Sequence, residues 1–129
     1  MVNLQTNRML GVKRKTESGF QVKFLTWLKQ FNGYIIEHKY NSGAYAKKFL
    51  PDVQYILNGH VFFFELKVGK NTLSKGQRET KATLEKAGAF CYEVNEAWFF
   101  GKGKHEIEAM FLIVTGGILE RRETHANKK

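Results

Sequence analysis

The sequence predicts an α/β fold, a central mixed sheet flanked by helices, with elements in the order α-β-β-β-α-β. Three observations carry this. Phe20, Phe24, Trp27, Leu28 and Phe31 recur at helical spacing. An Asn58-Gly59 pair joins two strand-like runs, the signature of a two-residue hairpin turn. Four successive large apolar residues, Val61 to Phe64, leave neither face of their strand to water.

In chain order, the first helix runs from about Glu17 to Phe31 and stops at Asn32-Gly33, where glycine tolerates the left-handed closing conformation. Tyr34 to Tyr40, aromatic and β-branched, reads as a strand leading into the polar turn Asn41-Ser42-Gly43. Pro51 cannot donate a ladder hydrogen bond, so it belongs at the head of the next strand, Asp52 to Leu57. The turn then returns the chain through Val61 to Lys67, the central strand. Ser74 opens a second helix that ends near Lys86, with Gln77 three residues on from Ser74 to complete a capping box. Ala89 to Val94 is a further strand, reached by a right-handed crossover if it lies parallel to the central one. Met110 to Val114 suits either a strand or the buried turn of a helix starting near His105.

The 129 residues, 43% hydrophobic and 14% aromatic, suffice for one core. A single domain over 16–119 is expected, between a basic flexible arm, 1–15, and a charged tail, 120–129. Lys and Arg number 21 against 12 Asp and Glu, and the net charge of +9 favours a polyanionic partner, nucleic acid ahead of acidic lipid. Cys91, the single cysteine, lies in an apolar run and reads as a buried free thiol. No secretory-type apolar segment or bilayer-spanning run is visible, so a soluble, cytoplasmic protein without a membrane partner is expected. The four histidines lack zinc-ligand spacing, and no phosphate-cradling glycine loop precedes a Lys-Ser or Lys-Thr pair; neither zinc nor a nucleotide cofactor is expected.

Alternation along a strand puts Val61, Phe63, Glu65 and Lys67 on one face and Phe62, Phe64 and Leu66 on the other. Glu65 and Lys67 alone read as an ion pair at a strand end. Asp52 changes that reading, because a hairpin centred on Asn58-Gly59 folds the start of one strand against the end of the other. Two carboxylates brought together repel unless a cation sits between them, and Mg²⁺, a hard ion that accepts a few carboxylates and keeps its waters, suits such a pair.

Pro51-Asp52, then Glu65-Leu66-Lys67, then Ser74-Lys75-Gly76-Gln77 at a helix start, together resemble the PD-(D/E)xK nucleases, and more narrowly their VRR-NUC branch. The similarity runs from about Glu17 to Val94. It implies a restriction-endonuclease-like core and a metal-dependent DNA endonuclease in which Asp52, Glu65 and the Leu66 carbonyl hold one or two Mg²⁺, with Mn²⁺ able to substitute. It further implies that Glu17, the acidic residue on the first helix, supports the metal site, directly or through water; that Lys67 orients the attacking water or neutralises developing charge; and that Gln77 belongs to the site. Minimal members of this branch resemble resolvases of four-way (Holliday) junctions, so branched DNA and a homodimer are the expected partners, and the small size suits a phage or other virus-encoded enzyme. Lys81, one turn beyond Gln77, is a further candidate for phosphate contact, against a solvated lysine. The competing readings are a non-catalytic basic DNA-binding module on the same fold and a restriction-type enzyme that reads base sequence.

Overall fold

Phe20, Phe24, Trp27, Leu28 and Phe31 are all buried, and residues 19–28 are helical (α1) in the computed structural model, which describes residues 19–38 and 49–122. The helix closes short of the predicted Phe31 in two tight turns, with Gln30 N donating to Trp27 O and Phe31 N to Leu28 O, both at 3.2 Å. Phe31 is needed elsewhere: it bridges to Arg121. Gly33 then passes directly over Tyr55, donating its amide to the hydroxyl at 2.8 Å, and a Cβ there would lie 2.2 Å from the ring.

Three antiparallel strands follow, β1 (Tyr34–Glu37), β2 (Val53–Leu57) and β3 (His60–Lys67). Asn58 and Gly59 both have positive φ, 51° and 78°, the mirror-image turn expected of an Asn-Gly hairpin. β1 is shorter than predicted, although the His38 amide continues the pairing to the Asp52 carbonyl at 2.8 Å. Residues 39–40 of that predicted strand and the Asn41-Ser42-Gly43 turn lie outside the described residues, as do the arm 1–15 and Glu17.

Helix α2 (Lys75–Lys86) leads to β4 (Phe90–Asn95), which pairs parallel to β3, giving a mixed four-stranded sheet in the order β1-β2-β3-β4. β3 is thus an internal strand, as its apolar run requires. Val53, Tyr55, Leu57, Phe62, Phe64 and Val94 face one side and join α1 in the core. Phe63, on the opposite face, is also buried, beside Leu73 and Gln77.

The C-terminal segment, open between strand and helix on sequence, is helical. A short helix α3 (Glu96–Trp98), capped by Asn95, runs into a π-helical turn over Phe99–Gly103 and then α4 (Lys104–Val114). Ile107, Phe111 and Val114 are buried at helical spacing, and packing against the sheet decides between the alternatives. Phe111 alone meets Trp27, Phe31, Tyr55 and Phe62 at ring-centroid distances of 6.1, 5.3, 5.4 and 5.0 Å.

The start of the predicted tail is docked: Arg122 N donates to Gln30 O, and Arg121 lies over the Phe31 ring and pairs with Glu108. Among the described residues no helix is long and apolar enough to cross a membrane. Because Phe111 joins α1 and α4 to the same face of the sheet, Phe111→Ala should cost about 3–5 kcal/mol of stability. Urea unfolding of the two proteins measures it, and a loss under about 1 kcal/mol would mean that the site collapses around the deletion.

Candidate active site

The hairpin register fixes the site. Val53 lies across from Phe64, so the next position outward brings Asp52 to the level of Glu65. Pro51 is buried ahead of it, and Asp52 is held at both ends: its carbonyl accepts from His38, and its Oδ2 accepts from the Leu66 amide at 2.8 Å. The carboxylate from the start of one strand is thereby tied to the backbone of the next.

Glu65 is 9% exposed, the buried charged residue among those described. Its Oε2 accepts from Gln77 Nε2 at 2.8 Å, and Lys67 Nζ stands 3.8 Å from the same oxygen. Gln77 also completes the capping box of α2, whose N-cap is Ser74: its backbone amide donates to Ser74 Oγ at 3.2 Å, and its Oε1 accepts from Ser74 N at 2.9 Å. One side chain thus closes a helix end, as the capping-box pattern predicts, and hydrogen-bonds a carboxylate.

Burial raises the Glu65 pKa most; the nearby Asp52 charge and a hydrogen-bonding contact with its carboxyl raise it further, while Lys67 and the Asp52 amide pull against them. The result is pushed up to about 7. Together the carboxyls carry more negative charge than Lys67 offsets. The donor set is hard oxygen, with the carboxylates of Asp52 and Glu65 flanking Leu66, and it fits an oxygen-preferring divalent ion such as Mg²⁺. No group of three or more His, Cys, Asp or Glu that could hold a metal occurs among the described residues. Mg²⁺ does not require one, since one or two carboxylates with retained water suffice for it.

A cleft of about 190 Å³ opens over the pair, lined from α1 by Phe20 and Gln21 and from the sheet side by Asp52, Leu66, Lys67 and Asn71, among others. Glu17 lies outside the described residues. Lys81 pairs with Glu85 at 2.9 Å and lines a small cavity with Glu65, Gln77 and Cys91. No family model matches this chain, and no curated protein or solved structure matches it. Gln21 and Asn71 were not singled out on sequence. Asn71 follows Gly69-Lys70, a turn composition just after Lys67, and that was the available signal; Gln21 carries none, because its place depends on how α1 docks.

Cys91 is half-buried and free, and burial, aided by Glu85, pushes its thiol up to about 11 against the pull of Lys81. At pH 8 a two-unit rise from 9.0 cuts the thiolate about a hundredfold. The more basic thiolate recovers roughly tenfold in nucleophilicity, so exchange with a disulfide reagent should run about tenfold slower than for an unhindered thiol, before any loss of access. Stopped-flow thiol exchange on native and urea-unfolded protein measures this, and equal rates would contradict it.

The Glu65 shift has a definite sign for stability. With its pKa raised from 4.5 to about 7, the metal-free folded state binds more protons than the unfolded chain between those values. Its contribution is complete below pH 4.5 and is lost as pH climbs through 7. In chelator, Glu65→Gln should therefore gain in melting temperature relative to wild type as pH rises across this window. A constant difference would show that the carboxyl ionises as in the unfolded chain.

Proposed function

We propose that this chain is a divalent-metal-dependent endonuclease of the restriction-endonuclease-like, PD-(D/E)xK class, hydrolysing phosphodiester bonds of DNA. The observation that carries the reading is the convergence of Asp52, just ahead of β2, and Glu65 of β3, with Lys67 two residues beyond Glu65 and the Asp52 carboxylate tied to the Leu66 amide. An ion pair made only for stability does not need the second carboxylate, which makes burial of the first more costly.

In this reading Asp52, Glu65 and the Leu66 carbonyl would hold Mg²⁺ or Mn²⁺, and Glu17, which precedes α1 in the sequence, would support them. When bound, the cation supplies a Lewis acid that lowers the pKa of a water and offsets phosphate charge. Gln77 fixes one Glu65 oxygen with a neutral donor, so the carboxylate is oriented without losing its charge. Lys67, part-buried beside Glu65, places a cation next to the reacting phosphate, where it orients the attacking water or offsets charge growing on the phosphoryl oxygens. The net charge of +9 draws the polyanion to the surface. A branched DNA substrate and a homodimer that cuts paired strands follow from the resemblance to minimal junction-cutting enzymes.

A labelled four-way junction and its matched linear duplex, each incubated with Mg²⁺, Mn²⁺ or chelator, test the reading. Cutting should require metal and be abolished by Asp52→Ala and by Glu65→Ala. Lys67→Ala should lower the turnover rate about 10²–10³-fold with DNA affinity little changed. A wild-type protein that binds DNA and cuts neither substrate with either metal is instead a binding module.

A further inference from the structure

Beside the carboxylate cleft lies a second, larger groove of about 490 Å³, lined by Lys23, Gly69, Asn95, Glu96, Ala97 and Phe100. The two are neighbours: Val68 lines the cleft and Gly69 the groove, and the Phe20 ring of the cleft is 6.0 Å from that of Phe100. Phe100 is 45% exposed, yet its ring is backed by the fully buried Phe20 and Phe99, the latter at 5.0 Å. Two ammonium groups flank it, Lys23 Nζ at 5.8 Å and Lys104 Nζ at 5.5 Å from the ring centroid.

A single exposed phenylalanine is ordinary on a protein surface. This one is fixed from behind, bracketed by lysines from α1 and α4, and set in the π-helical turn, an irregularity found often at functional sites. Glu96 in the groove wall works against a purely electrostatic hold on a polyanion, so attraction there must come from the ring together with the flanking cations. A solvent-exposed cation–π contact is weaker than stacking of a nucleobase on the same face, and the displaced ammonium remains within reach of the adjoining phosphate. The geometry points to Phe100 as a stacking platform for an unpaired base, with Lys23 and Lys104 taking its flanking phosphates. The groove thus selects DNA with a single-stranded segment next to the scissile bond. This rests on the nuclease reading for its choice of nucleic acid.

The test is a binding measurement in chelator, where nothing is cut. Fluorescence anisotropy compares a labelled single strand of about ten nucleotides with a blunt duplex. Phe100→Leu should weaken single-strand binding roughly five- to hundredfold and leave duplex binding within about twofold, and Phe100→Trp should restore the single-strand affinity. Lys23→Gln combined with Lys104→Gln should lower the salt dependence of single-strand binding by about 0.7 for each phosphate that the lysines no longer neutralise. Unchanged single-strand affinity in Phe100→Leu, equal losses on both ligands, or failure of Phe100→Trp to restore it each overturn the platform. Failure of the two readings is separable: if wild type cuts DNA while Phe100→Leu binds single strands normally, only the platform falls. If Phe100→Leu loses single-strand binding in a protein that cuts nothing, only the nuclease falls.

Discussion

Glu65 follows three buried phenylalanines in β3, and a carboxylate there has little water to solvate it. Removing an ion from water costs several kcal/mol, so the position is tenable only because its surroundings supply polar contacts. The contacts that favour its charge come from two places in the chain, Lys67 two residues on and Gln77 at the start of α2, while the Asp52 charge just ahead of β2 works against it. The two depend on different pieces of local structure, and a fault in either leaves a buried charge poorly compensated. The aromatic core guards the arrangement from behind. A one-residue slip of β3 would turn Glu65 toward Phe24 and Tyr92, which now surround Phe64, and would move Phe62 and Phe64 to the opposite face. Register is therefore enforced at Glu65 itself.

The core is correspondingly stiff. Phe64 meets Phe24 edge-on at 5.0 Å and Tyr92 at 5.7 Å, so the strand carrying Glu65 is gripped by α1 on one side and by β4 along its length. Aromatic side chains have few rotatable bonds, and edge-to-face pairs add about 0.5–1.5 kcal/mol each beyond area burial. Glu65 is carried on that strand, and Asp52, just ahead of β2, is tied to it through the Leu66 amide.

The local parts of this design were legible in the sequence. Asn58-Gly59 specified the turn, alternation along β3 specified which residues share a face with Glu65, and Ser74 with Gln77 specified the helix cap. What escaped is what distance in sequence hides. The helix over 104–114 was ambiguous because Met110 to Val114 is apolar throughout, and an all-apolar run has no period until a neighbour chooses its buried side. The π-helical turn has no sequence signal comparable to a cap. Docking of Arg121 and Arg122 back onto Phe31 and Gln30 reads as tail in a sequence that ends in charge. The place of Gln21 depends on the packing of α1, which no local rule supplies.

Gln77 shows how a helix cap and a hold on a buried carboxyl meet in a single amide. Its oxygen is committed to the Ser74 amide, so its NH₂ must be the end that faces Glu65, and the cap itself decides which way the group points. A carboxylate at this position would complete the same cap but add a third negative charge at the cluster. An arginine or lysine would supply a stronger donor but offset the charge of the carboxyl pair. The neutral amide does neither: it holds Glu65 Oε2 in place, leaves the charge on the carboxyl pair, and draws its own orientation from a helix end that must be capped in any case.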